Sequence, residues 1–148
     1  MGPSLVWRRG AHAGTRGSGS SSESWTEVEV DVPHEPVVLS LRLQTKRDWI
    51  LVRDGLAIDI QLGNPEFDEK YLVEGAPAAI VSRVLDPAVQ RKLLLDAPNE
   101  VETRAFGVLV ARKGWRETPA DIQSFVDLAV SVAENIAPAI AESRKAEA

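Results

Sequence analysis

The chain has 148 residues, is 44% hydrophobic and 26% charged, and carries no cysteine, two histidines and a net charge of −5. This is the composition of a single globular domain large enough for one sizeable core, and it excludes disulfide scaffolds, thiolate zinc sites and cysteine nucleophiles. His12 and His34 are too far apart to share a helix face, which excludes histidine-rich metal sites, and the acidic balance argues against nucleic acid as a partner.

Arg8, Arg9 and Arg16 against Glu23 leave +2 on residues 1–24, so the remainder carries −7 of the total −5. The Gly/Ser-rich stretch up to Ser24 has no apolar period and reads as a flexible leader over 1–24. No apolar run approaches the roughly 20 residues of a bilayer span, and no long apolar stretch follows Arg8 and Arg9 as a signal peptide needs. No transmembrane segment is expected, and the expected location is cytoplasmic.

A single domain is expected over 25–141. "WTEVEVDV" alternates strictly, with Val28, Val30 and Val32 on one face and Glu27, Glu29 and Asp31 on the other, as in a half-buried strand. "VVLSLRL" repeats the pattern with Val37, Leu39, Leu41 and Leu43 inward. "WILV" at 49–52, the Asp54-Gly55 pair and "LAIDIQL" at 56–62 predict a hairpin. A short strand is expected around Tyr71 to Val73. Pro77 then opens a short helix bearing Ile80, Val81, Val84 and Leu85. Asp86 as N-cap and Pro87 at the first helical position open a second, with Val89, Leu93 and Leu94 inward. Two strands meeting near Ala105 to Gly107 follow. Thr118, Pro119 and Asp121 mark the start of a C-terminal helix, and residues 142–148 read as a frayed tail. The fold class is therefore α+β: a mostly antiparallel sheet of about five to seven strands with helices packed on one face.

The carboxylates Glu66, Asp68, Glu69 and Glu74 crowd one turn-rich segment. They lack the spacing and central glycine of a calcium loop and read as solvated surface, with Phe67, Tyr71 and Val73 as their core-facing neighbours. Arg53-Asp54-Gly55 reads as turn chemistry. Arg112, Lys113 and Arg116 around Trp115 read as an exposed strand end rather than an anion site. There is no G-x-S-x-G elbow, no histidine paired with a serine and no phosphate-binding glycine loop. No catalytic, cofactor-binding or metal-binding residue is expected, and no cofactor.

"GNPEFDEKYLVEG" followed by "IVSRVLDPAVQRKLLL" resembles a group of uncharacterised bacterial domains. In that group a Gly-Asn/Asp-Pro-x-Phe-Asp turn leads into an aromatic-x-Val strand, a helix ending in Leu-x-Pro and a second, Leu-rich helix. The likeness covers about residues 25–140 and implies a soluble, envelope-associated module with no recognised catalytic residue. Members commonly carry membrane segments upstream, which this chain lacks, so the resemblance implies a shortened or wrongly started version.

The resulting expectation is a non-enzymatic binding or assembly module. Its partner is an unknown protein or a second copy, the latter docking through the 118–140 helix, whose apolar arc is wider than a surface helix requires. The alternatives are an enzyme using the carboxylates Glu66, Asp68 and Asp59, or a peripheral membrane module using Arg8, Arg9 and Arg16.

Overall fold

The computed structural model describes residues 8–18, 21–31, 37–55, 59–105, 107–113 and 119–147. Among the described residues six strands form one antiparallel sheet: β1 (Arg8–Ser18), β2 (Ser21–Asp31), β3 (Val38–Leu43), β4 (Tyr71–Ala76), β5 (Glu100–Arg104) and β6 (Gly107–Lys113), in the spatial order β1-β2-β6-β5-β3-β4. Five helices among the described residues accompany it: α1 (Lys46–Arg53), α2 (Pro65–Lys70), α3 (Ala78–Val84), α4 (Pro87–Asp96) and α5 (Pro119–Glu147). The fold is α+β.

Strand alternation sorts the sheet into two faces. Val28 and Val30 of β2, Leu39 and Leu41 of β3, Tyr71 and Val73 of β4, Val101 of β5 and Val108 and Val110 of β6 point into one core. α5 covers it across β2 and β6, α3 packs against β4, and α3 and α4 lie beside α5. On the other face, the register sets Glu29, Leu109 and Glu102 in one row and Glu27, Ala111, Glu100 and Arg42 in the next.

The hairpin expected at 49–62 is not formed. Residues 46–53 are helical because Thr45 and Asp48 make a capping box: the Thr45 hydroxyl accepts from the Asp48 amide at 3.2 Å, and Asp48 Oδ2 accepts from the Thr45 amide at 2.9 Å. Asp54-Gly55 then ends this helix, with Gly55 at φ +76° and its N–H donating to the Val52 carbonyl. A positive φ serves a helix C-terminus as well as a hairpin turn.

Three boundaries also move. Residues 65–70 form α2, because Asn64 at the N-cap and Pro65 at the first helical position start a helix. Residues 8–18, expected within a flexible leader, pair along β2 one to one, since ladder hydrogen bonds are made by backbone and need no apolar side chains. The helix continues past 141 to Glu147, with Lys145 paired to Glu142 at 3.5 Å and Arg144 and Lys145 favourably placed near its C-terminal dipole.

The helices at 78–84 and 87–96 and the strands at 100–104 and 107–113 stand where the sequence puts them. Val32, His34, Leu56, Ile58, Trp115, Arg116 and Thr118 lie outside the described residues.

α5 is long and apolar enough by composition to cross a bilayer: within Ala120–Lys145 an 18-residue window has mean hydropathy 1.3. Its apolar side chains are engaged within the chain: Leu128, Ala129, Val132 and Ile136 are fully buried. The wide apolar arc is thus covered by the sheet on one side and by α3 and α4 on the other, whereas Ala137 is exposed. Two polar residues of the helix also face neighbours. Asn135 Nδ2 donates to the Val84 carbonyl at 2.9 Å and to Asp86 at 3.2 Å, and Ser131 accepts from Lys92 at 2.8 Å.

Candidate functional site

β4 is the last strand of the sheet, and its outer edge would expose unpaired backbone groups. Residues 59–63 run along it. Ile60 N–H donates to the Val73 carbonyl at 2.8 Å, and Val73 N–H donates to Asp59 Oδ1 at 2.9 Å, so both polar groups of Val73 are satisfied. Gln61 Nε2 donates to the other Asp59 oxygen at 2.6 Å.

The segment then turns at Gly63, where φ is +81°, and enters α2. Asp68 closes this turn from within α2: its two carboxylate oxygens accept from Leu62 N–H at 2.9 Å and Gly63 N–H at 3.1 Å. The reading of Asp68 as solvated surface is corrected, because its carboxylate fixes the backbone of the preceding loop. α2 is pinned below by Phe67 and Tyr71, both fully buried with ring centroids 5.2 Å apart. Tyr71 donates its hydroxyl proton to the Pro98 carbonyl at 2.9 Å, and burial pushes that phenol well above its usual range.

Across from this loop stands the start of α1. Gln44 N–H donates to the Lys70 carbonyl at 2.8 Å, tying the α1 entry to the end of α2. Asp48 is buried and accepts from the two terminal guanidinium nitrogens of Arg42 at 2.5 Å. Those bonds, with the Thr45 contacts, hold its carboxyl well below the usual carboxylate range despite burial.

Between these walls opens a cleft of about 670 Å³, lined by Gln44, Thr45, Lys46 and Val52 on one side and by Asp59, Gln61, Gly63, Pro65, Asp68 and Glu69 on the other. This lies in the size range of small-ligand sites. Three carboxylates against one ammonium make the lining anionic. Burial pushes Asp59 up from the ordinary carboxylate value, with the nearby Asp68 and Glu74 charges adding to it and the bonds from Val73 and Gln61 opposing it.

Of the three carboxylates weighed as enzymatic candidates, the fold brings Asp59 and Asp68 to this cleft. Glu66 is exposed in the first turn of α2 and does not line it. Glu74 projects from β4 as an exposed residue. Lys46, Gln44 and Gln61 were not singled out by sequence, and Glu69 was named only within the acidic cluster read as surface. The Thr45-x-x-Asp48 capping signature was the available signal for this wall of the cleft. Arg112 donates to the Asp96 carbonyl at the end of α4, at 3.0 Å, which gives it a structural use. Among the described residues, no group of three or more His, Asp or Glu side chains could hold a metal ion.

Compared with family models, curated proteins and solved structures, the chain matches none at a significant level.

Proposed function

We propose that this chain is a non-enzymatic binding or assembly module that receives a cationic segment of a partner protein in the cleft beside β4. The observation that carries this reading is how the cleft's acids are used. Each oxygen of Asp59 and Asp68 already accepts a hydrogen bond from the chain itself, three of the four from backbone N–H groups. Carboxylates fixed in this way form a rigid negative lining, with side-chain entropy already spent before a ligand arrives. Those bonds hold each carboxylate in place, and each oxygen keeps a second lone pair to receive a cationic donor. The resemblance to bacterial domains without recognised catalytic residues points the same way.

One observation favours the carboxylate-enzyme reading: a group with a raised pKa lines a concave site. Burial of Asp59 at the covered strand edge accounts for that shift without a reaction.

The test is fluorescence anisotropy with a labelled oligolysine peptide and an oligoglutamate control. Oligolysine should bind saturably, weakening several-fold between low and physiological salt as screening sets in. Glu69→Lys should weaken it about fivefold or more, whereas Glu134→Lys, the same charge change on the exposed side of α5, should weaken it less. Equal loss in the two variants would reduce the effect to net charge and overturn the assignment of the cleft.

A further inference from the structure

The cleft beside β4 holds one cation of its own. Lys46 is the first residue of α1 and lines the cleft beside Gln44 and Thr45, with Asp59, Asp68 and Glu69 on the other wall. Its backbone is fixed, because the Thr45–Asp48 capping box closes the first turn around it and Arg42 holds Asp48 in place. Its side chain is not fixed. Lys46 is exposed and, among the described residues, makes no hydrogen bond or ion pair.

The chemistry of α1 gives no reason for a lysine at this position. A helix N-terminus carries partial positive charge and favours an acid in its first turn, the role that Asp48 fills. An ammonium at the first helical position is repelled by that end of the helix and attracted by the three carboxylates opposite. The four-carbon stem of a lysine is flexible enough to carry the charge off its own wall and into the cleft.

We propose that Lys46 is a tethered competitor: its ammonium occupies the anionic lining of the cleft in the free protein, and a cationic ligand binds by displacing it. This role, which rests on the cleft being a receptor for a cationic segment, sets the threshold for occupancy of that receptor. A ligand's first positive charge only replaces the one that Lys46 supplies. Segments carrying several cations are therefore favoured, because they engage the remaining carboxylates as well. Specificity then comes from a repulsive element built into the site beside the attractive ones.

Three variants of the full chain test it by fluorescence anisotropy with labelled oligolysine. Lys46→Met keeps the length of the stem and removes its charge, and Lys46→Arg keeps the charge. Lys145→Met makes the same charge change near the end of α5, outside the cleft. Lys46→Met should bind about threefold or more tighter than wild type, the scale of removing one like charge from a solvated site. Lys46→Arg should bind as wild type does, and Lys145→Met should gain much less than Lys46→Met. The gain in Lys46→Met should shrink as salt screens the competing charge. Equal tightening in Lys46→Met and Lys145→Met, or unchanged or weaker binding in Lys46→Met, would overturn the competitor and leave the receptor reading standing. So would tightening in Lys46→Arg, which would place the effect in shape rather than charge. No oligolysine binding in any form, wild type included, would remove the receptor reading and the competitor with it.

Discussion

Asp68 accepts twice from backbone, at Leu62 and Gly63, and each bond satisfies an N–H that would otherwise lack its partner in the turn. Asp68→Ala should cost about 1–2 kcal/mol, the lower part of the range for orphaned buried groups because Leu62 and Gly63 stay partly open to water, while Glu66→Ala should stay within about 0.5 kcal/mol as an exposed change. Urea melts of the two variants against wild type check the difference. Two aspartates give opposite pH dependences. Asp48 has its folded pKa depressed, so its stabilisation is present above the ordinary carboxylate value of about 3.9 and is lost as pH falls below it. Asp59 has its folded pKa raised, so its contribution is present below about 3.9 and is lost as pH rises through the folded value. Asp59→Asn should therefore leave stability at pH 7 unchanged or raised, provided the amide oxygen still accepts from Val73. Asp48→Asn should lower it and flatten the acid limb of the stability curve. Denaturation midpoints from pH 3 to 7 test both signs, and a large loss in Asp59→Asn at pH 7 would contradict the burial account.

At the level of elements, the decisive signals are caps and close approaches. Asp86 caps α4 by accepting from Val89 at 2.9 Å and also receives Asn135 from α5. Asp86→Ala should therefore cost about 1–2 kcal/mol, the upper half of the N-cap range. Gly75 sits in β4 at φ +157°, where an added Cβ would run into the Val38 carbonyl oxygen and the Val81 side chain. Gly75→Ala should cost more than about 2 kcal/mol through displaced backbone and strain, readable in the same melts. These elements also show what sequence makes legible. Asp86-Pro87 has one physical reading and named its helix correctly. Asp54-Gly55 does not, because a positive-φ glycine ends helices and turns hairpins alike. The Thr45–Asp48 box decided the matter locally, and the four-residue apolar run beside it obscured that box. The segment at 59–63 alternates like a strand, but nothing local shows that it runs along β4, since that is set by Val73 and Asp68 from other elements.

Across the whole molecule, α5 is the keystone. Its face was legible from the 3.6-residue period, but which neighbours covered the surplus apolar arc was not, because that depends on where α3 and α4 dock. Leu128 is fully buried, so Leu128→Glu should unfold the protein, an unpaired charge in the core exceeding a marginal stability. A folded variant with altered size in light scattering would show that this helix contacts a second copy. The same long-range assembly explains why the cleft escaped the sequence: its two walls are brought together through the bond from Gln44 to Lys70, across the sheet edge. The proposed role makes this cleft a preformed anionic receptor. An amide chemical-shift titration of the labelled protein with oligolysine tests it. Saturable shifts confined to Gln44–Lys46, Asp59–Gly63 and Asp68–Lys70 are expected. Shifts centred instead on Glu27, Glu29, Glu100 and Glu102 of the sheet's other face, or no shifts at all, would overturn it.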